Sequence, residues 1–163
     1  MAKKILTQEY LHTLFEYKDG LLFTKVRRSN IKIGSKVGNQ HYSGYIFTSI
    51  NSKHYAIHRI IFCMHYGFFP KLIDHINGDR SDNRIENLRI ATVAENNRNA
   101  KIRLNNTSGS KGVHFVKQIN KWLVQIQINK QKKYFGCFED FELADLVAQE
   151  ARNKYHGKFA RHS

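Results

Sequence analysis

Only two cysteines occur in the 163 residues, Cys63 and Cys137, and they stand far apart. Without a Cys-x-x-Cys pair a structural zinc ribbon is excluded, and two thiols are too few for a disulfide framework. A reducing cytoplasm is the expected setting. Long apolar runs are also missing: none approaches the roughly 18 residues of a membrane span. The opening Met-Ala-Lys-Lys-Ile-Leu has no proper apolar h-region, which argues against a signal peptide. No basic amphipathic helix or lipid anchor accompanies the positive charge, so a membrane partner is not expected. Acid is scarce as well. No Asp or Glu lies between Asp19 and Asp74, and none between Glu95 and Glu139.

What is abundant is base. Lys and Arg number 27 against 13 acidic residues, a formal charge of +14. Cations facing phosphates release condensed counterions, so this excess points to a polyphosphate partner and away from a small-molecule substrate. Hydrophobic content of 41% is enough for real cores and argues against wholesale disorder.

The pattern along the chain reads as an α+β fold. Thr7 caps a short helix expected through Tyr17, followed by the turn Lys18-Asp19-Gly20 and a strand over Leu21–Val26. Glycines at 34, 38 and 44 punctuate the next stretch, and Tyr45–Ile50 with Tyr55–Ile57 read as a hairpin around Asn51-Ser52. His58–Tyr66 reads as a buried helix ended by Gly67 and Pro70. Leu72–His75 and Asn87–Ala91 are short strands flanking a turn-rich loop. Thr92-Val-Ala-Glu95 is a capping box opening a helix expected to about Lys101. Residues 105–111 have linker composition. Beyond them come three strands, at 112–117, 121–129 and 132–138, and a helix over Phe141–Tyr155 with a small-residue face of Ala144, Val147, Ala148 and Ala151.

The stretch from Asp74 to Asn96 carries the chemistry. Phosphodiester hydrolysis needs an activated water, charge neutralisation on the phosphate and help for the departing oxygen. A hard divalent ion with oxygen ligands can supply the last two, and Mg²⁺ and Mn²⁺ both suit such ligands. Asp74 offers a carboxylate and Asn96 an amide oxygen. His75 offers an imidazole able to take a proton near pH 7, provided the strand end splays it toward the same phosphate. Asn87 is placed to tie the loop across the hairpin and orient His75. Asp79, Asp82 and Asn83 invite a calcium reading, but the spacing of a hand-type calcium loop is absent.

These residues resemble the HNH nuclease module of ββα-metal type, in the branch found in phage and intron-encoded homing endonucleases. The resemblance covers His58 to about Lys101. It implies that Asp74 and Asn96 bind one divalent metal, that His75 is the general base and that Asn87 positions it. It also implies hydrolysis to a 5′-phosphate and a 3′-hydroxyl. His58-Arg59 matches the His-Arg that often precedes the module, and Arg59 is assigned to packing or phosphate contact.

A second resemblance covers residues 106–160. Asn-Thr-Ser-Gly-x-Lys-Gly-Val, Lys121-Trp122, Lys-x-x-Tyr-Phe-Gly-x-Phe and Tyr155-His-Gly-Lys-Phe-Ala160 are similar to the Apetala-type, ethylene-response-factor-like DNA-binding domain. That implies a three-stranded sheet laid in the major groove with a helix behind it. Lys117, Gln125, Gln127, Lys130, Lys132 and Lys133 become the expected contacts, with Trp122 assigned to the core ahead of a base contact. Gln pairs bidentately with adenine, whereas Lys chiefly meets phosphate. Arg27, Arg28, Lys32 and Lys36 are expected to grip DNA from the β-rich N-terminal flank, which could equally serve as a stabilising sheet.

The organisation expected is thus a β-rich segment 1–57, a ββα-metal nuclease core 58–104, a linker 105–111 and a three-stranded antiparallel sheet packed on one helix over 112–163. Double-stranded DNA is the expected partner. Two other readings keep the basic charge without the same chemistry: a non-catalytic sequence-specific DNA-binding protein with a degenerate HNH scaffold, and an RNA-binding or RNA-cleaving protein.

Overall fold

Thr7 accepts a hydrogen bond from the amide of Tyr10 and starts α1, Gln8–Leu14. The computed structural model describes residues 6–27 and 31–162. Arg28 and the first five residues, on which the leader argument rests, lie outside them. The described part is mixed helix and strand arranged in small antiparallel sheets, as the α+β reading has it. It divides into two compact units, residues 1–92 and 93–163.

In the first unit α1 stops at Leu14, three residues short of the expected end. Phe15 turns extended and pairs with Thr24, so Phe15–Lys18 becomes strand β1 of a hairpin with β2, Leu21–Thr24. Burial explains the switch: Phe15 is enclosed in the core, while Glu16 faces solvent. The turn places Asp19 and Gly20 at positive φ, which suits the right-handed twist of the strands. Gly20 has a second reason to be glycine. A Cβ there would come within 2.8 Å of the Arg84 amide nitrogen, so the hairpin tip lies directly on the loop near Arg84. Strand β3, Lys36–Val37, completes this sheet in the order β1-β2-β3.

A second sheet follows, in the order β4 (Asn39–Gln40), β5 (Ile46–Ile50) and β6 (Lys53–Ala56). Its last turn has Asn51 and Ser52 both at positive φ. Helix α2, Ile57–Tyr66, is buried along most of its length and ends on left-handed Gly67. It is the hub of the core, which gathers Leu11, Phe15, Leu22, Ile50, Ile60, Ile61, Ile73 and Leu88 from every part of the unit. Strands β7 (Ile73–His75) and β8 (Leu88–Ile90) pair in the register Ile73↔Ile90, Asp74↔Arg89, His75↔Leu88. A 3-10 turn, Ile85–Asn87, precedes β8 and replaces the expected start of that strand.

The second unit opens with α3, Val93–Asn99, two residues shorter than expected. The segment 105–111, expected as a linker, is here an ordered turn. Ser108 Oγ donates to the Val113 carbonyl, the Gly109 amide donates to Asn106 Oδ1, and Ser110 Oγ donates to Asp145 on the last helix. Strands β9 (Val113–Val116), β10 (Lys121–Ile128) and β11 (Gln131–Phe138) form an antiparallel sheet in the order β11-β10-β9. Asp140 caps α4, Phe141–His156, by accepting from the Leu143 amide. The small face of α4 lets it lie close on the sheet: Ala144 and Ala148 pack on Val113 and Val124, with Trp122 and Phe138 at the margin.

Candidate active site

Residues 76–84 are a loop with almost no repeating backbone structure, and its polar side chains hold it. The Asp79 amide donates to Asn77 Oδ1, and both the amide and the hydroxyl of Ser81 donate to Asp79 Oδ1. Asp82 takes the guanidinium of Arg84 through both oxygens, at 2.9 and 2.8 Å. That Arg84 contact holds the Asp82 carboxyl at about 2, below the usual carboxylate range. Asn87 ties the two ends together: its Oδ1 accepts from the Asn77 amide, and its Nδ2 donates to Asn77 Oδ1 and to the Asp82 carbonyl. Side chains here do what a strand ladder does elsewhere, satisfying backbone groups that a compact fold cannot leave unpaired.

The loop presents His75 at the end of β7, where it is 4% exposed. Its Nε2 lies 3.2 Å from Asn83 Oδ1, and Asn83 Nδ2 in turn donates to the Ser81 carbonyl. That second bond orients the amide, so the atom facing His75 is an acceptor only. With the proton on Nε2 this contact is a hydrogen bond, and the lone pair of the neutral ring lies on Nδ1. Burial pushes the His75 pKa below its ordinary value. The Asn83 bond and the carboxylates of Asp74, Asp79 and Asp82 oppose that shift without reversing it. The net shift favours the neutral ring.

Asp74, 5% exposed, lies opposite Arg89 in the strand register and pairs with it. The guanidinium donates through Nε at 2.8 Å and approaches through Nη2 at 2.7 Å, both toward Asp74 Oδ2. On the other side of His75 the ring of His58 stands edge-on at 5.0 Å, and Tyr45 stacks beside both. Arg80 covers Tyr45 at 4.9 Å and donates to the Ser43 carbonyl. Burial first, then His75 and Arg59, push the His58 pKa down to about 3. Arg59 donates to the Pro70 carbonyl at 2.7 Å and lies 6.0 Å from the centre of the Phe69 ring. In this structure it packs.

The HNH endonuclease family model matches residues 55–98, the span holding α2, β7, the polar loop, β8 and α3. Protein 3.8 of Escherichia phage T7 is 34% identical over 97 residues, a match covering 58% of this chain and 79% of the phage protein. The chain belongs to the protein 3.8 family. No solved structure gives a significant match.

In this protein 3.8 relative the structure brings Asp74, His75 and Asn87 together around one hairpin. Asn96 is on α3 of the second unit and is half-buried. Asn83, weighed in the sequence only as a calcium ligand, is the residue whose contact with His75 sequence reasoning missed. It is 2% exposed, yet nothing in the spacing of an Asp/Asn-rich loop separates it from its neighbours. Only its place under the imidazole does. Asn87, expected to orient His75, holds the loop, and Asn83 makes the direct contact.

The donor chemistry around Asp74 suits a hard cation, since a carboxylate is an oxygen ligand. The same carboxylate already has a cationic partner in Arg89, with which a divalent ion would have to share it. No cluster of three or more His, Cys, Asp or Glu side chains is grouped for a metal among the described residues. A metal held here would complete its shell largely from water and phosphate oxygens, as Mg²⁺ commonly does.

The expected DNA contacts divide by setting. Arg27, Lys32 and Lys36 are exposed, Lys36 on the edge strand β3. Lys117 is exposed in the β9–β10 turn, and Lys130 in the β10–β11 turn at positive φ. Gln127 lies opposite Lys132, and both are exposed on the sheet face turned away from α4. Gln125 shares that face and is half-buried. Lys133 instead donates to the Tyr155 hydroxyl and sits 4.7 Å over its ring, on the helix side. Trp122 packs between Phe115 and Phe141, both at 4.9 Å. No helix among the described residues is long and apolar enough to cross a membrane.

Proposed function

We propose that the protein is a metal-dependent DNA endonuclease of the homing type whose HNH core, residues 58–104, is followed by a DNA-reading domain over 112–163. The observation that carries this reading is the placement of His75, buried at the end of β7 with Nε2 3.2 Å from Asn83 Oδ1, inside the segment matched by the HNH family. With the proton on the nitrogen that faces Asn83, the neutral imidazole is a base at Nδ1. His75 takes the proton from an attacking water. Asn83 and the Asn87-tied loop keep the ring from rotating away, which preserves the geometry that general-base catalysis needs. Asp74 is the residue of this hairpin that would hold one Mg²⁺ or Mn²⁺, which when bound supplies charge neutralisation at the phosphate and help for the leaving oxygen. The products are a 5′-phosphate and a 3′-hydroxyl.

The C-terminal domain reads duplex DNA in the manner of Apetala-type domains. Support comes from the antiparallel sheet with α4 covering one face, while the other carries Gln125, Gln127 and Lys132. The N-terminal segment 1–57 adds Arg27, Lys32 and Lys36 as phosphate contacts. Action on host or phage DNA in the bacterial cytoplasm fits the phage relative.

The deciding experiment is plasmid nicking with magnesium or manganese, comparing wild type with His75→Ala. Wild type should cut and the variant should not. Equal activity in the two would remove His75 from the chemistry. The Asp74–Arg89 pair favours one competing reading, a DNA-binding protein with a degenerate nuclease scaffold. On that reading neither protein cuts, while both bind duplex with equal affinity.

A further inference from the structure

The second unit contains a cavity of ≈ 460 Å³ outside every residue given a role in cleavage. Arg98 of α3, Lys111 of the loop before β9, Lys130 of the β10–β11 turn, and Arg152 and His156 of α4 all line it, and none of its lining residues is acidic. A solvated basic face would show its cations at the surface. Here Arg152 is 3% exposed. Its Nη1 donates to the Lys111 carbonyl and its Nε to His162 Nδ1 at 3.2 Å, but its Nη2 has no hydrogen-bond partner. The neighbouring carboxylate, Asp145, stays 3.9 Å away and is already used by Ser110 at 2.5 Å and by Gln149 at 2.8 Å. A buried cationic donor left unmatched is costly, so the site is incomplete as it stands.

The electrostatics agree with the geometry. Burial, then the cations of Arg152 and Arg161, push the Lys111 amine down to about 8. Burial also lowers the His156 pKa, with Arg98, Arg152 and Lys111 adding to the shift. These groups repel one another with too little negative charge among them. Gly112 helps hold them close: it lies in the left-handed region, and a Cβ there would come within 2.8 Å of the Gln125 carbonyl oxygen.

We propose that this cavity is a phosphate-binding site, in which Arg152 Nη2 and Lys111 take the phosphate oxygens while Lys130 and Arg98 form a cationic rim. Guanidinium and ammonium donors on phosphate make the strong, charge-assisted class of hydrogen bond. The phosphate could belong to the DNA backbone or to a free phosphate-bearing ligand, for which the volume is ordinary.

The test uses the full chain. Thermal unfolding is followed as inorganic phosphate replaces chloride at constant ionic strength. Wild type should show a saturable rise in melting temperature, which Lys111→Gln abolishes and Lys130→Gln weakens. Lys130 is exposed in a turn, so it carries the comparison if Lys111→Gln fails to fold. In a second arm the salt dependence of binding to a short duplex is measured for the same proteins. A slope smaller by about one in the variants assigns the phosphate to DNA. An unchanged slope with a lost phosphate response assigns it to a free ligand. Absence of a saturable wild-type response together with unchanged duplex slopes overturns the site, as does a response that both variants retain. The phosphate arm needs no cleavage and stands apart from the nuclease reading, whereas the duplex arm rests on DNA binding.

Discussion

The β10–β11 hairpin turns on two residues, Asn129 and Lys130, and pairs seven residue couples. The β7–β8 hairpin pairs three couples and places residues 76–87 between its strands. In the first, the backbone ladder holds the strands and side chains are left over to form a surface. In the second, side chains are consumed in holding the backbone: Asn77, Asp79, Asp82, Asn83 and Asn87 each bond within the loop or its ends. A ladder can place residues only at strand spacing. A side-chain-stapled loop can bring Asn83 against the strand-end His75 in a way that strand spacing does not allow. If that contrast is right, substitutions in the stapled hairpin should change chemistry and folding together, and those on the laddered one should change binding alone.

The largest effect should come from His75→Ala, with nicking reduced about 10²- to 10⁴-fold, the usual contribution of a positioned base, and duplex affinity nearly unchanged. A parallel loss of affinity would erase the contrast. Next is Asp74→Ala, which removes the carboxylate paired with the mostly buried Arg89 guanidinium and should cost about 3 kcal/mol in denaturant unfolding. Asp74→Ala with Arg89→Met should recover most of that stability but none of the activity, which separates the ion pair from catalysis. Full activity in the double variant would remove Asp74 from metal binding.

Acid should weaken the first unit. His58 titrates near 3 in the fold and near 6.5 when unfolded, so the native state favours the neutral ring. Its contribution is present above pH 6.5 and is lost as the unfolded chain gains a proton that the folded one refuses. Between pH 7 and pH 5 the loss should be about 2 kcal/mol, read as a shift in urea midpoint that His58→Gln flattens. An equal shift in the variant would place the titration elsewhere. Asn83→Ala should follow at about 1–2 kcal/mol, the cost of a buried donor left unmade, with a drop in nicking rate that Asn83→Ser partly restores. Loss of stability with an unchanged rate would make Asn83 structural only. Smallest is Lys132→Ala, expected to lower the salt slope of duplex binding by about one with cleavage chemistry intact. Lys133, engaged with Tyr155, should change it less.

Regular elements were legible in the sequence because their signals are local. The alternation Trp122, Val124, Ile126, the alanine spacing of α4, and Asp19-Gly20 all report backbone periods or turn conformations within a few residues. The end of α1 was not legible, since Phe15 continues a helical apolar pattern and only its pairing with Thr24, nine positions on, draws it into a strand. Asp74, His75 and Asn87 could be singled out by type and spacing. The Asp74–Arg89 pair needed the strand register, and the seat of His75 on Asn83 needed the path of an irregular loop. The cavity around Arg152 joins residues more than fifty positions apart, beyond any pattern in the chain.

The β1–β2 hairpin reaches well outside the matched segment. Tyr17 accepts the Ile85 amide at 3.1 Å, and the Gly20 turn abuts Arg84. Leu11, Phe15 and Leu22 share the core with α2. A matched segment excised at residue 55 would therefore be an orphaned motif, its loop unbraced and its helix greasy on one side. Moving this cassette into another protein would require carrying the N-terminal brace along with it.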